Sequence, residues 1–293
     1  MMRVTEGSSS RGALIGLQSQ ASKLAGLQSQ LSSGRQITKP SDNPTGTVSA
    51  LQLRSQVKQN AQYQANGTDA IGWLTTVDTA YSGITTQLQQ VRTLVLQGMS
   101  TGTGSASSRE ALAQQVDAAR SNLLSLSNST YLGRPVFGGT TASSVAFDST
   151  GSYVGDTGSV TRTVGPNTSV DLNTPGTTAF GANGSNLFDL MSSISNDLRT
   201  NPSALGGDLS ALDTRQAAIT SDQSLAGAKY SRIQSVQNTT STNTIQLKSQ
   251  LSDLQDIDLA DMAVQVSSAN AAYQAALATT AKISQTSLLD FLR

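Results

Sequence analysis

The two ends of this chain carry apolar residues at heptad-like spacing, and this pattern constrains the fold more than any other feature. From Met262 to Ala276 the apolar positions are four, three, four and three residues apart, after a slip in the spacing near Ile257. Such a repeat places one apolar stripe along a long helix, and the slip locally unwinds a supercoil. The first 40 residues carry a matching stripe. One helix cannot bury its own stripe, so we expect the two ends to pack on each other or on neighbouring copies.

Charge supports a pairing of the two ends. Residues 1–40 contain five basic residues and one acid, whereas residues 251–293 contain five aspartates and two basic residues. Exposed ion pairs contribute only about 0.2–1 kcal/mol each. We therefore expect the opposite charges to set register and orientation more than strength.

Composition argues against most catalytic chemistry. The chain has no His and no Cys, so it lacks the commonest general base and metal ligand and any thiolate. Its net charge is zero, which gives no electrostatic reason to bind nucleic acid or an anionic membrane. The aspartates at 253, 256, 258 and 261 lack the spacing of a calcium loop. We expect no enzyme, no cofactor, no metal site and no membrane span.

The patterns predict helices at about 11–33, 44–98, 107–127 and 186–199, and a last helix from about 208 with a break near 256–258. Gly34 suits the end of the first helix, and Ser41 or Asp42 is a candidate cap for the second, with Pro44 in its first turn. Ser107 and Glu110 fit a capping box. Three glycines would permit a bend in the second helix: Gly67, Gly72 and Gly83.

Residues 141–184 differ from the rest because they contain Gly, Pro, Thr and Val in short alternating runs. SVTRTV at 159–164 and TSVDL at 168–172 predict short strands. The expected fold is mainly α with a small β insertion, an elongated rod with its terminal helices paired in a coiled-coil bundle. Residues 1–43 and 255–293 would be terminal assembly helices, 44–140 and 185–254 a helical rod domain, and 141–184 a β-rich outer domain. The apolar positions from Leu51 to Leu126 and from Leu187 to Leu254 are expected to form the core of the bundle.

Three segments resemble a known family. LSSGRQITKPSDNP at 31–44 resembles the N-terminal signature of the flagellin superfamily. YLGRPVFGGT at 131–140 and AKISQTSLLDFL at 281–292 resemble the hook–filament junction branch of that superfamily. The positions that carry the resemblance in the first two segments are Ser33, Gly34, Arg35, Pro40, Ser41, Asp42, Pro44, Gly133, Arg134, Phe137, Gly138 and Gly139.

The resemblance implies a non-enzymatic structural subunit of the bacterial flagellum, extracellular and exported through the flagellar type III system. The implied partners are the first hook-associated protein, flagellin, identical subunits in a ring and an export chaperone before secretion. The ends would be disordered in the monomer and form a coiled coil on assembly. This implication favours contacts between subunits at residues on and beyond the two stripes: Leu14, Leu17, Leu24, Leu31, Met262, Val266, Ala269, Tyr273, Ile283, Leu288 and Phe291.

Two alternatives stay open at this point. Flagellin itself shares the signature at 31–44, and the ending Leu292-Arg293 is flagellin-like. A type III-secreted coiled-coil translocator or adhesin is a more distant alternative, and it would need an apolar membrane segment or a surface anchor.

Overall fold

The computed structural model describes the backbone of residues 3–100 and 104–291 and the side chains of residues 11–100 and 104–282. The helices are α1 (Arg3–Ser33), α2 (Pro44–Met99), α3 (Ala106–Ser127), α4 (Gly176–Phe180), α5 (Leu187–Thr200), α6 (Leu205–Gln255) and α7 (Leu259–Phe291). The strands are β1 (Thr130–Tyr131), β2 (Arg134–Pro135), β3 (Thr161–Gly165) and β4 (Thr168–Asp171). The strands form two antiparallel pairs, β1 with β2 and β3 with β4. The prediction of a mainly helical chain with a small β insertion is confirmed.

The chain divides into two compact units, and α2 and α6 each contribute residues to both units. The terminal unit comprises the residues up to Gln59 and from Asn243 onward, and the central unit comprises Asn60–Thr242. In the terminal unit α1 packs along α7. In the central unit α3 packs on α5, and a continuous apolar core joins α2, α3, α5 and α6 to the β insertion.

The first part of α6, from Leu205 to Ile233, is built on a seven-residue repeat. Every seventh residue from Leu205 to Ile233 is apolar and buried, which gives one straight seam along the helix. Leu51 on α2 breaks the expected pattern, because its side chain is 58% exposed. Ala50, directly before it, is buried instead. The predicted core positions further along α2 are buried, among them Leu74, Tyr81, Ile84, Leu88, Val91 and Val95.

The observed helix caps correct two predictions. Ser105 caps α3, since its hydroxyl oxygen accepts from Ser108 N at 3.1 Å, so the predicted capping box of Ser107 and Glu110 is wrong. Glu110 pairs with Arg199 of α5 at 2.9 Å. Asn43, rather than Ser41 or Asp42, caps α2, because its side-chain oxygen accepts from Gly46 N at 2.8 Å. Pro44 is the first residue of α2, as predicted, where its missing N–H is no loss.

The glycines of α2 do not break the helix. Each lies where a neighbouring side chain approaches the backbone: Gln237 at Gly67, Tyr131 at Gly72 and Leu126 at Gly83. The first turn of α6 also contains two glycines, so the predicted start near Asp208 is three residues late. At Gly67, Gly72 and Gly83 helix continuity follows from packing, which outweighs the low intrinsic helix propensity of glycine.

A pair of substitutions tests the role of Gly72. A Cβ at Gly72 would lie 2.6 Å from the Tyr131 hydroxyl oxygen, whereas a Cβ at Gly227 on α6 would meet nothing within 4 Å. Gly227→Ala should therefore stabilise the protein by about 0.5–1 kcal/mol. Gly72→Ala should destabilise it by about 1–3 kcal/mol because of overpacking. Chemical denaturation measures both, and equal stabilisation by the two changes would contradict the close approach.

Asp208 makes stability depend on pH. Burial, together with the neighbouring Asp197 carboxylate, raises the pKa of Asp208 to about 6 from its ordinary 3.8. The folded state therefore favours the protonated form, so this contribution to stability is present below pH 4 and is lost as pH rises through 6. Asp208→Asn should melt at a higher temperature than the parent at pH 7.5 and equally at pH 4. Equal melting temperatures at both pH values would contradict this assignment.

Candidate assembly surface

The segment that follows α1 is paired with the break between α6 and α7. Gly34 ends α1 at φ +68°, a left-handed conformation that favours glycine. Gln36 N donates to Gln255 O at 2.6 Å, Ile257 N donates to Gly34 O at 3.2 Å, and Arg35 lies opposite Asp256 in an antiparallel bridge. Two interruptions of helical structure that are more than 200 residues apart in sequence therefore lie side by side within the terminal unit. The predicted break near 256–258 is confirmed.

The rest of the signature forms a tight turn before α2. The Asp42 carboxylate accepts from Lys39 N at 2.8 Å, and from Thr38 N and Thr38 Oγ1 at 3.1 and 2.9 Å. These hydrogen bonds hold the pKa of Asp42 below its usual range, and the bond from Lys39 N has the largest effect. Ser33 closes the preceding helix end, because its hydroxyl donates to Gln30 O and accepts from Arg35 N. Pro40 and Ser41 are exposed at the turn. The signature residues therefore shape the connection between α1 and α2.

The two predicted stripes face each other along α1 and α7. On α7, Met262 and Ala269 are buried, and Val266 and Tyr273 are partly buried. On α1 the partly buried predicted residues are Leu17, Leu24 and Leu31. Leu14 is 55% exposed. Ile283, Leu288 and Phe291 lie outside the residues whose side chains the structure describes. Of the two arrangements left open by the sequence, packing of the ends on each other is therefore present within a single chain.

The terminal unit has little core of its own. Among its described side chains the buried hydrophobic residues are Ala50, Met262 and Ala269. Its exposed large hydrophobic residues are Leu14, Ile15, Val48, Leu51, Ile245, Leu259, Val264 and Leu277. An amphipathic helix pair that buries only one narrow seam is marginal in isolation.

The outward face of α7 is apolar as well. Val264 is 68% exposed, and Ala271 and Ala275 are exposed. Because residues two apart differ by about 200° around a helix, Val264 points away from the seam that contains Met262 and Val266. A helix that is apolar on opposite faces is normally buried on both. The sequence prediction missed this face, and the regular spacing of Val264, Ala271 and Ala275 was the signal that could have revealed it.

The second motif begins with the β1–β2 hairpin of the central unit. Tyr131 pairs with Arg134 across a two-residue loop, and Gly133 adopts φ +79°. The Tyr131 ring packs edge-on against Trp73, with 5.9 Å between ring centroids. The Tyr131 hydroxyl donates to Asp69 Oδ1 at 3.2 Å. The hairpin is thus fastened to α2.

The Phe-Gly-Gly-Thr part of the motif anchors the β insertion. Phe137 is fully buried and packs on Tyr81 and Phe180, at centroid distances of 5.1 and 5.2 Å. Gly139 adopts φ +71°, and a Cβ there would lie 2.2 Å from the Asp156 carboxylate. A Cβ at Gly138 would lie 2.7 Å from Pro135 Cγ. The two glycines therefore allow close packing that no larger residue would permit.

Asp156 is the partner of this loop that sequence reasoning missed. Its carboxylate accepts from Thr140 N at 2.7 Å, Thr140 Oγ1 at 2.9 Å and Gly158 N at 2.8 Å. These hydrogen bonds lower the pKa of Asp156, and the bond from Thr140 N has the largest effect. No pattern in the sequence singled out Asp156, since the contact joins residues 16 apart through loop geometry. Phe137 and Asp156 together make the motif a structural anchor for the insertion.

Two kinds of site were looked for in the described part of the chain, a membrane-spanning helix and a cluster of metal-ligating side chains. Over residues 3–100 and 104–291, no helix has both the length and the apolar character needed to cross a membrane. In the same ranges, no cluster of three or more acidic residues is arranged to hold a metal ion.

Comparison with known proteins gives the family. Residues 8–142 match the bacterial flagellin N-terminal helical region, and residues 209–292 match the bacterial flagellin C-terminal helical region. Flagellar hook-associated protein 3 of Salmonella typhimurium is 34% identical over 140 residues, which are 47% of this chain and 44% of that protein. The chain therefore matches less than half of the length of that relative.

Two further similarities agree with the helical matches. Flagellar hook-associated protein 3 of Escherichia coli is 29% identical over 244 residues, which are 78% of this chain and 74% of that protein. The crystal structure of the flagellar junction protein FlgL from Legionella pneumophila superposes with a TM-score of 0.59 at 13% identity. That superposition covers 71% of this chain and 99% of the FlgL chain, and it shows a shared fold. The chain therefore belongs to the flagellin superfamily, and within that superfamily it is similar to hook-associated protein 3.

Proposed function

We propose that this chain is a structural subunit of the hook–filament junction of the bacterial flagellum. The relatives named hook-associated protein 3 support the place in the flagellum. One structural observation supports the mechanism: among the described side chains of the terminal unit, large hydrophobic residues are exposed and few are buried. Such a surface gains stability when neighbouring subunits cover it, because binding to the folded state stabilises that state. The role is non-enzymatic.

The terminal helices are the assembly elements in this proposal. The seam of α1 with α7 orders the pair, and the outward face of α7, formed by Val264, Ala271 and Ala275, packs against neighbouring subunits. The partners are other copies of the chain in a ring, the first hook-associated protein on the hook side and flagellin on the filament side. Before export through the flagellar type III system, a chaperone would cover the same apolar helices. The Ala-rich outward face fits close packing with little area per contact, so many subunits are needed for a stable ring.

Flagellin is the second candidate, because both matched helical regions are those of flagellin. The two functions differ in self-polymerisation. A filament subunit builds long helical polymers alone, whereas a junction subunit stops at a ring that needs a different protein on each side.

Electron microscopy of the purified protein distinguishes the two functions. The protein is concentrated under salting-out conditions, with and without short filament seeds, and is then added to isolated hooks that carry the first hook-associated protein. We expect no long filaments from the protein alone and added density at the hook tips. Long helical filaments from the protein alone would identify a flagellin instead.

A further inference from the structure

The central unit contains the pair Asn-Gly twice, at 66–67 and at 183–184. In such a pair the backbone nitrogen of the glycine can attack the side-chain amide carbon of the asparagine and close a five-membered succinimide ring. Glycine hinders this attack least, because it has no Cβ and adopts many backbone conformations. The attack needs a backbone N–H that is not already engaged and an asparagine side chain that water can reach. The surroundings of each pair therefore decide whether it reacts.

The pair at 66–67 is protected by its position in the middle of α2. The helix engages the Gly67 N–H in a backbone hydrogen bond. Gln237 packs so closely that a Cβ at Gly67 would lie 2.7 Å from Gln237 Nε2. The amide of Asn66 is also held, because its Nδ2 donates to Thr163 O at 2.8 Å. Attack at this pair requires local opening of the helix, which lowers the rate in proportion to the small population of the opened form.

The pair at 183–184 lies in the middle of an exposed turn between α4 and α5. Ser185 N donates to Ala182 O at 3.1 Å across this turn, and Gly184 adopts φ +85°. Asn183 is exposed, and a Cβ at Gly184 would meet nothing within 4 Å. Among the residues that the structure describes, none accepts a hydrogen bond from the Gly184 N–H. The attacking nitrogen is therefore unhindered and is not engaged by the backbone.

The β insertion supplies a group that assists the attack. Tyr153 N donates to Asn183 Oδ1 at 2.7 Å. Negative charge develops on this oxygen when the glycine nitrogen adds to the amide carbon, and a fixed N–H donor stabilises that charge. The second bond, from Asn183 Nδ2 to Tyr153 O, is longer at 3.3 Å. The nitrogen that must leave is thus held less firmly than the oxygen that must be stabilised.

We propose that Asn183 is a site of spontaneous deamidation, and that the reaction weakens the contact between the α4–α5 turn and the β insertion. Gly184 N bonds to Asn183 Cγ, the Cγ–Nδ2 bond breaks, and the side-chain nitrogen leaves as ammonia with the proton of the Gly184 N–H. Water then opens the succinimide at either carbonyl, which gives aspartate or isoaspartate. Water is the one co-reactant in this sequence of steps.

The product alters an edge of the insertion that is linked to its anchor. A carboxylate at position 183 cannot donate to Tyr153 O and places negative charge against that carbonyl. Tyr153 packs on Phe147 with 5.3 Å between ring centroids, and its hydroxyl donates to Asp156 O at 2.7 Å. Deamidation therefore acts on the part of the insertion that Asp156 holds to the glycine loop.

Peptide mass spectrometry of the full-length parent protein tests the site. The folded protein is incubated in mildly alkaline buffer and digested with trypsin, which releases the two pairs in separate peptides, 59–92 and 163–199. Fragmentation then locates each amide-to-carboxyl conversion. We expect conversion at Asn183 to be at least about tenfold faster than at Asn66. In denaturant the two rates should become equal, because both pairs are then exposed. Equal rates in the folded protein, or a faster rate at Asn66, would overturn the proposal.

A pair of variants tests the structural consequence. Asn183→Asp reproduces one product of the reaction and should melt at a lower temperature than the parent. Asn167→Asp makes the same amide-to-acid change at the exposed turn between β3 and β4, and it should melt close to the parent. Equal melting temperatures of the two variants would overturn the proposed weakening of the contact with Tyr153.

Discussion

Deletion of residues 259–293, which removes α7, is expected to abolish incorporation into the flagellum while leaving the central unit folded. The central unit has its own continuous core, and none of the described side chains of α7, those up to residue 282, belongs to that core. The deletion removes the seam partner of α1 and the whole outward face that includes Val264. The variant should show a cooperative thermal transition close to that of the parent and should not restore motility to a strain that lacks the protein.

The helix content of the deletion variant is the control for this experiment. Circular dichroism should show a loss of helix no larger than that expected for α7 and its partner α1. Swimming in soft agar by the complemented strain would contradict the role assigned to the terminal helices. Loss of the cooperative transition would instead show that the central unit depends on α7.

Phe137→Ala is expected to destabilise the central unit by about 3–5 kcal/mol, as measured for large buried aromatic side chains. Phe137 is fully buried between Tyr81 and Phe180, so its replacement by alanine leaves a cavity that the surrounding side chains have little room to fill. The matched comparison is Leu132→Ala, five residues earlier in the same motif, which removes a side chain that is 81% exposed. Leu132→Ala should leave the free energy of unfolding within about 0.5 kcal/mol of the parent.

Guanidinium denaturation followed by tryptophan fluorescence measures both changes, since Trp73 is the single tryptophan and is buried in the central core. A loss below about 1 kcal/mol for Phe137→Ala would contradict the assignment of this motif residue to the core. A larger loss for Leu132→Ala than for Phe137→Ala would reverse their assigned roles.

Periodic features of this chain could be predicted from the sequence, because spacing alone decides them. The stripe on α7 could be predicted from its four-three repeat alone, and the break near Asp256 could be predicted from the slip in that repeat. The β3–β4 hairpin followed from two short alternating runs separated by a turn. In each case neighbouring residues carry the whole signal.

Features decided by contacts between distant segments could not be predicted in this way. Ser105 rather than Ser107 caps α3, and Glu110 pairs with Arg199, 89 residues further along the chain, instead of with the cap. Asp156 anchors the glycine loop through bonds to Thr140 and Gly158 that no local pattern encodes. Leu51 fits an apolar stripe and yet is exposed, since apolar spacing does not distinguish a core from a surface that awaits a partner.

Binding of a Val264→Asp variant to hook tips shows directly whether subunits assemble through the outward face of α7. Val264 is exposed on the outward face of α7, so an aspartate there should leave the free protein unchanged and place a charge in the proposed contact between subunits. Gln265→Glu, the next residue and also exposed, adds the same charge beside that face as a control. Fluorescently labelled parent, Val264→Asp and Gln265→Glu proteins are added to isolated hooks that carry the first hook-associated protein, and occupancy is counted by microscopy. We predict tip occupancy for the parent and Gln265→Glu and loss of at least about tenfold for Val264→Asp; equal occupancy by all three proteins would contradict assembly through the outward face of α7.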